Sequence, residues 1–191
     1  MADDRLEELL AKQAIMEVVF RYARAIDRLD EKLLRSCFHP GSTHKHFFEG
    51  PSSDPSLPST DEEPGDFVAF ALGRLSTYSL THHQMGNTMV DLTGADHANV
   101  ETYFTAFHRL RPIGDPLAGE QAFDTEMDYF VAGRYIDQFE CREGTWAIIS
   151  RTGMTDWVRL EAPSSQGVGM IPQDTLGKRA PDDLICQYYS T

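Results

Sequence analysis

The stretch from residue 88 to residue 109 limits most strongly what this chain can fold into, because its side chains alternate with a period of two. Small or apolar residues and one histidine occupy every second position of its later part: Val100, Thr102, Phe104, Ala106 and His108. Such alternation predicts a β-strand with one face toward a core. A shorter alternating run, residues 88–92, predicts a partner strand, and Gly86-Asn87 before it indicates a turn.

Two histidines near these strands are candidates for acid–base chemistry. His83 comes shortly before Gly86, and His108 ends the small apolar face. An imidazole can take and return a proton near neutral pH. A lone histidine on a strand is more often a hydrogen-bonded structural residue, so the residues alone leave both interpretations open. His82 and His83 are neighbours, and in a strand only one of them can face a pocket.

A long amphipathic helix is predicted over residues 4–26. Its apolar side chains recur at helical spacing: Leu6, Leu9, Leu10, Ile15, Val18, Val19, Tyr22 and Ile26. Asp27 follows at its end, where the helix dipole disfavours a carboxylate. Asp30 is the better cap for the next helix, predicted from about 30 to 37, so Asp27 is left for another use.

The remaining pattern predicts two further long strands and another helix. A strand is expected over 42–50, a loop over 51–65, and a helix over 66–78. Strands over 125–141 and 146–160 are joined by a hairpin turn, and Gly133 is a candidate bulge. Trp146 and Arg151 are expected on opposite faces of the last strand. His44 and His46 alternate onto one face, but no acidic or cysteine partner is close by, so no metal site is expected.

Helices followed by an antiparallel meander predict an α+β fold. A curved sheet wrapped around the long first helix would make a cone with a pocket. We expect one domain over residues 1–160. Residues 161–191 are rich in proline, glycine and serine, and are expected to form a tail that is a lid, a subunit clasp or partly disordered.

Composition excludes several classes of partner. The chain has 17 basic and 30 acidic residues, a formal charge of −13, which argues against nucleic acid and anionic membranes. Three widely spaced cysteines fit free thiols rather than a zinc site. With no secretory apolar core and no apolar run of about 20 residues, we expect a cytoplasmic protein. No phosphate loop or dinucleotide fingerprint is present, so no cofactor is expected.

Several sequence blocks, in order, resemble the SnoaL-like, nuclear-transport-factor-type superfamily. They are RYARAIDRLD at 21–30 with FHP at 38–40, THHQMGN at 81–87, and GRYIDQFE at 133–140 with GTW at 144–146 and Arg151. The resemblance covers about residues 5–160 and implies a cystatin-like α+β cone. It is nearest to the branch of scytalone dehydratase, bile-acid 7α-dehydratase and hexachlorocyclohexane dehydrochlorinase.

The resemblance implies roles for five residues. Asp27 and His83 match the Asp–His dyad of that branch. Tyr22 matches a tyrosine of the bile-acid enzyme, His108 the second histidine of scytalone dehydratase, and Arg151 a site arginine of the dehydrochlorinase. The branch also implies a homo-oligomer, with a trimer favoured and a dimer possible. Side chains expected to cover the exposed sheet face in the assembly are Tyr103, Phe107, Phe130 and Tyr135.

These roles predict a cofactor-independent, dehydratase-like carbon–oxygen lyase. The dyad would abstract a proton from carbon, with β-elimination from a small hydrophobic, hydroxylated, polycyclic or aromatic substrate. Candidates for the pocket wall are Phe67, Phe70, Met85 and Phe104. Two alternatives stay open. One is an isomerase or cyclase of the ketosteroid-isomerase type, and the other is a non-catalytic ligand-binding protein or an assembly subunit resembling the dioxygenase small subunit.

Overall fold

The computed structural model describes residues 2–45, 64–78, 80–112, 124–163 and 171–188. Its helices and strands, in chain order, are α1 (Ala2–Arg28), α2 (Glu31–Arg35), β1 (Phe38–Lys45), α3 (Pro64–Leu75), β2 (Leu80–Leu92), β3 (His97–Leu110), β4 (Met127–Arg142) and β5 (Thr145–Glu161). The fold is α+β, as predicted: three helices and a mixed sheet of five strands. His46 and residues 51–63 of the predicted loop lie outside the described residues, and residues 64 and 65 belong to α3 rather than to the loop.

The sheet has the strand order β1-β5-β4-β3-β2. Strand β1 runs parallel to β5, and all other neighbours are antiparallel. One face of β3 is buried from Ala98 to Leu110 at every second residue, which confirms the predicted alternation. This inner face packs against α1 and α3 in one apolar core.

Helix α1 packs into the core through its second half. Ile15, Val18 and Val19 are buried there, as are Tyr22 and Ile26. The apolar spacing predicted for this helix begins with Leu6, Leu9 and Leu10, which are each more than half exposed. The first turns of this helix of 27 residues, about 40 Å long, therefore do not take part in the core.

Gly86-Asn87 is not a turn. Strand β2 continues through it, and the pairing with β3 steps from Met85 opposite Phe104 to Thr88 opposite Thr102. One extra residue on β2 makes this a bulge. A Cβ at Gly86 would lie 3.3 Å from the carbonyl oxygen of Tyr103, so the close approach of β3 accounts for the glycine.

Strand β5 carries two irregularities opposite β4. Gly133 pairs with Thr155 and Ala132 with Trp157, so Asp156 is an extra residue. A Cβ at Gly133 would lie 2.1 Å from the carbonyl oxygen of Met154, which no other residue can accommodate without a backbone shift.

The second irregularity overturns a predicted arrangement of side chains. Gln138 pairs with Ser150 and Phe139 with Ile148, which leaves Ile149 unpaired. This extra residue shifts the alternation by one, so Trp146 and Arg151 both lie on the buried face rather than on opposite faces.

The described part of the C-terminal segment, residues 171–188, contains two short 3-10 turns, Gln173–Thr175 and Leu184–Gln187. Its backbone contacts the end of α1, where the amide of Ala180 donates to the carbonyl of Arg28 over 2.8 Å. Among the helices of the described residues, none has both the length and the apolar character needed to cross a membrane.

Candidate active site

Asp27 and His83 form a hydrogen-bonded pair between the last turn of α1 and the start of β2. The His83 Nδ1 atom lies 2.8 Å from one carboxylate oxygen, and the backbone N–H of His83 donates to the other over 2.7 Å. An ionised carboxylate only accepts, so Nδ1 carries the proton toward it. The Nε2 atom is therefore the ring nitrogen that can accept a proton from another molecule.

Local structure explains why these two residues meet. Asp30, not Asp27, caps α2, because the Asp30 carboxylate accepts from the amide of Leu33 over 3.0 Å. Asp27 is thus free to turn toward β2. On β2, His83 pairs with Ala106, whose side chain is buried on the inner face, whereas His82 is exposed opposite Phe107. His83 is the histidine of the adjacent pair that faces the core.

The pair favours the charged carboxylate. Burial alone would raise the pKa of Asp27, but the hydrogen bonds and the electrostatic attraction of His83 outweigh burial, and the pKa of Asp27 is lowered. Asp27 is therefore an anion at neutral pH. It can orient the imidazole and stabilise the imidazolium that proton uptake would form.

His108 lies next to the pair on the inner face of β3. Its ring is 5.2 Å from that of His83 and nearly perpendicular to it. Burial lowers the pKa of His108 to about 3, and the neighbouring His83 adds to the effect. His108 is neutral at physiological pH, and its buried Nδ1 has no hydrogen-bond partner among the described residues.

A cavity opens in front of the two histidines. Its lining in the described chain is mostly aromatic and apolar: Tyr22, Ile26, Phe70, Ala71, Arg74, Leu75, Tyr78, His83, Phe104, His108, Tyr129, Val131 and Tyr135. The space between these side chains is about 520 Å³, part of it open to solvent, and the centres of water-sized molecules can occupy about 50 Å³ of it. The cavity is apolar, narrow and partly open.

Five of the residues predicted for the site line this cavity: Tyr22, Phe70, His83, Phe104 and His108. Asp27 does not line it and reaches it only through His83. Phe67 and Met85 do not line it either. Phe67 stacks on His44, with ring centroids 3.5 Å apart, and Met85 packs against the core.

Arg151 does not reach the cavity, in contrast to the placement that the resemblance implies. It is fully buried, with its guanidinium in two hydrogen bonds of 2.6 and 2.8 Å to Asp137. The guanidinium carbon lies 4.1 Å from the ring centroid of Tyr22 and 4.2 Å from that of Tyr135. The two tyrosine rings therefore lie against Arg151, and it acts on the site only through them.

Four polar or aromatic residues of the cavity wall were not predicted: Arg74, Tyr78, Tyr129 and Tyr135. Tyr135 was expected on the outer face, but it is 4 % exposed and stacks on Phe104 from the inside. Tyr135 pairs with Thr102, which lies on the buried face of β3, and this pairing places the tyrosine on the inner face of the sheet. Tyr129 pairs with His108 in the same way, and neither pairing can be read without the register of the strands.

The described residues contain no cluster of three or more histidine, cysteine, aspartate or glutamate side chains that could hold a metal ion. The His44 side chain is buried against Phe38 and Phe67.

Solved structures resemble this fold at low sequence identity. A putative scytalone dehydratase from Novosphingobium aromaticivorans is 20% identical, with 87% of this chain and 99% of that chain covered and a TM-score of 0.61. The hexachlorocyclohexane dehydrochlorinase LinA-type3 from Novosphingobium barchaimii LL02 is 17% identical, with 88% and 99% covered and a TM-score of 0.63. A protein of unknown function with a cystatin-like fold from Nostoc punctiforme is 18% identical, with 77% and 92% covered and a TM-score of 0.55.

At such identities these likenesses establish the fold and not the activity. The sequence matches no curated protein at a significant level. A family model described as a SnoaL-like domain matches residues 7–152, which include α1, the five strands up to the middle of β5, and both members of the Asp27–His83 pair. The chain belongs to the SnoaL-like domain family.

Proposed function

We propose that this protein is a cofactor-independent lyase that eliminates water from a small hydroxylated aromatic substrate. The observation that carries the proposal is the Asp27–His83 pair, in which both carboxylate oxygens hold His83 and Nε2 is left for the substrate. A general base placed in this way accelerates proton transfer by roughly a hundred- to ten-thousand-fold.

In the proposed reaction, Nε2 of His83 removes a proton from a carbon next to a carbonyl. The electron pair of the C–H bond forms a carbon–carbon double bond, and the hydroxyl on the adjacent carbon leaves. The imidazolium returns its proton to the departing hydroxyl, so that water leaves and the base is restored.

Tyr22 is suited to hold the substrate carbonyl. Burial raises the pKa of Tyr22, even though the nearby Arg151 opposes this, so the phenol keeps its proton and can donate a hydrogen bond. Such a donor stabilises negative charge on the carbonyl oxygen as the proton leaves carbon. Neutral His108, 5.2 Å from His83, offers a second polar contact on the same wall.

The size of the cavity favours a compact substrate. The cavity volume, about 50 Å³, is well below the roughly 300–1,000 Å³ of pockets for drug-sized molecules. A flat monocyclic molecule therefore fits better than a polycyclic one. Phe70 lines the cavity and is half exposed, so its rotation is the simplest way to admit a larger ring system.

The ketosteroid-isomerase alternative uses the carboxylate itself as the base. Two hydrogen bonds from His83 occupy the Asp27 carboxylate and lower its basicity. The geometry therefore supports the histidine as the base.

The test is deuterium wash-in from heavy water at acidic C–H positions of hydroxylated aromatic ketones, with loss of water followed by mass spectrometry. We expect Asp27→Asn and His83→Ala to lower the rate by roughly a hundred- to ten-thousand-fold. The matched control is His82→Ala, which removes an identical side chain from the outer face one residue away.

Two results would contradict the proposal. Exchange that survives in His83→Ala but not in Asp27→Asn would make the carboxylate the base and favour the isomerase. Ligand-induced thermal shifts without exchange, equal in wild type and both variants, would make the protein a binding module.

We also propose that the outer face of the sheet is covered by further copies of the chain, with a trimer favoured. Large apolar side chains between about 40 and 60 % exposed lie on it: Met89, Tyr103, Phe107, Ile136, Met154 and Trp157. An exposed apolar area of this kind is unusual in a monomer. Light scattering on the purified protein tests this, and a monomer at micromolar concentration would contradict it.

A further inference from the structure

The C-terminal segment makes its contacts at the end of α1 that carries Asp27. The guanidinium of Arg179 donates to the backbone carbonyl of Asp27 over 2.9 Å and lies 3.5 Å from the carbonyl of Leu75, at the end of α3. One residue later, the amide of Ala180 donates to the carbonyl of Arg28. Consecutive carbonyls at the end of α1, which a helix leaves without internal partners, thus accept from residues 179 and 180.

The end of α1 needs this support for a physical reason. Leu29, directly after the helix, has a φ of +54°, in the left-handed region where glycine is usual. The end of a helix also carries partial negative charge, which disfavours the nearby Asp27 carboxylate. Arg179 brings a positive charge to that end. Burial lowers the pKa of Arg179 and the Asp27 carboxylate opposes the decrease, so the two charges interact.

We propose that residues 171–188 form a brace for the Asp27–His83 pair, with Arg179 as its positioning residue. Arg179 joins the ends of α1 and α3 and adds a positive charge at the end of α1 that carries Asp27, where it supports the carboxylate that the hydrogen bonds from His83 hold. The consequence for catalysis rests on the proposed function, whereas the structural role does not. The brace lies beyond residue 152, where the SnoaL-like domain match ends, so it is a feature of this chain that the family match does not include.

The brace also has an internal structure that fixes Arg179. Asp183 accepts from the amides of Lys178 and Ile185, over 2.9 and 3.1 Å, and lies 3.4 Å from the guanidinium of Arg28. The hydrogen bonds from Lys178 and Ile185 to Asp183 fold the chain around Arg179 into a turn, and the contact of Asp183 with Arg28 holds this turn against α1. The segment therefore positions Arg179 by its own hydrogen bonds.

The first readout is the pKa of Asp27, measured by carbon-13 NMR of its carboxyl group in the full-length protein. Removal of the Arg179 charge is expected to raise this pKa, because an ionised carboxylate loses a nearby cation. The other charged or titratable groups around this end of α1 stay in place: Arg24, Arg28, Asp30, Arg74, His83, His108, Arg111 and Asp183.

The variants are Arg179→Met, which keeps most of the length of the side chain without its charge, and Arg179→Gln, which keeps an amide donor. Both are expected to raise the Asp27 pKa and to shift the downfield proton resonance of His83 Nδ1–H. Arg179→Lys, which restores the charge, is expected to return the pKa toward wild type. The matched control is Lys178→Met, which removes the neighbouring exposed charge and is expected to change neither signal.

With a substrate in hand, Arg179→Met should lower kcat by about ten- to a hundredfold and leave KM nearly unchanged, because Arg179 positions the base and does not line the cavity. The proposal is overturned if the folded Arg179 variants give the same Asp27 pKa and the same Nδ1–H resonance as Lys178→Met. Because the NMR readouts need no substrate, they stand even if Asp27→Asn retains full exchange activity and the proposed function fails.

Discussion

Two buried pairs of an acid and a base in the described part of the chain, Asp137–Arg151 and Asp27–His83, differ in their access to the cavity. Asp137 and Arg151 are both fully buried, and neither lines the cavity. Burial alone would lower the pKa of Arg151, but Asp137 outweighs it, and the pKa of Arg151 is raised. Burial also raises the pKa of Asp137, and Arg151 opposes that increase. We assign the pair as charged because two hydrogen bonds of 2.6 and 2.8 Å join the guanidinium to the carboxylate. Asp27 and His83 are slightly exposed, at 9 and 7 % of their side chains, and His83 lines the cavity. His83 lines the cavity and has a ring nitrogen that can accept a proton, so the Asp27–His83 pair, here called the open pair, can do acid–base chemistry. The Asp137–Arg151 pair, here called the sealed pair, does not reach the cavity and can only support its neighbours.

The two pairs are connected through Tyr22. Its ring lies on the Arg151 guanidinium, with the ring of Tyr135 beside it at a centroid distance of 5.6 Å. Both tyrosines line the same cavity as His83. The sealed pair thus supports the wall of the cavity on which the open pair acts. The sealed pair should therefore matter mainly for the stability of the protein, and the open pair for its activity.

The largest effect is expected from breaking the sealed pair. Asp137→Asn leaves a buried arginine without its counter-charge, which typically costs about 3–5 kcal/mol of unfolding free energy. Urea unfolding of the variant measures the loss. The double variant Asp137→Leu with Arg151→Met removes both charges and is expected to recover much of the stability. Equal losses in the single and double variants would mean that packing, rather than the unpaired charge, accounts for the effect.

An effect that is small at neutral pH and grows with acidity is expected from His108, which lies beside the open pair. Its folded pKa of about 3 is below the ordinary value of 6.5, so the unfolded chain takes up a proton between these pH values and the folded protein does not. Stability from this site is complete above pH 6.5 and falls as the pH decreases toward 3, by at most about 1.4 kcal/mol per pH unit.

The measurement for this prediction is the unfolding free energy of wild type and His108→Gln across that pH range. The variant should have a flatter profile than wild type, because its side chain does not titrate. Parallel profiles would show that His108 takes up its proton in the folded protein.

The smallest effect is expected from an exposed pair. Arg134 bonds to Glu101 over 3.0 Å and to Asp156, with about a third of the arginine side chain exposed. Exposed ion pairs contribute about 0–1 kcal/mol, and salt screens them. Glu101→Gln should therefore change the urea midpoint little, and still less in 0.5 M salt. If Glu101→Gln lowered the unfolding free energy as much as Asp137→Asn does, burial would not explain the difference between the exposed pair and the sealed pair.

The sequence carried enough information for the fold class and for the central pair of residues. Period-two alternation predicted β3, and helical spacing predicted the second half of α1, because both patterns are local. Elimination leaves Asp27 without a capping role, since Asp30 is the better cap, and the resemblance to the SnoaL-like superfamily implies its pairing with His83; the structure places the two side chains against each other. The roles of Tyr22, His83 and His108 as catalytic residues stay predictions, although the structure brings them to one cavity.

What the sequence could not provide depends on register and on contacts between distant segments. The bulge at Ile149 changed the face of Arg151, and the bulge at Gly86 replaced a predicted turn. Tyr129 and Tyr135 became recognisable only through their pairing with His108 and Thr102. Arg179 is 152 residues from Asp27, and no local pattern in its proline- and glycine-rich surroundings indicates that contact.

The bulges of β5 have a consequence for natural variation in length. Ile149 and Asp156 are the residues of this strand that have no partner on β4. Deleting either one would leave the pairing on both sides of it in register. Deleting a paired residue between them, such as Thr152, would instead move the side chains beyond it to the opposite face of the sheet. Among related chains, single-residue gaps in this strand should therefore fall at these two positions, and Arg151 should keep its inward orientation in all of them.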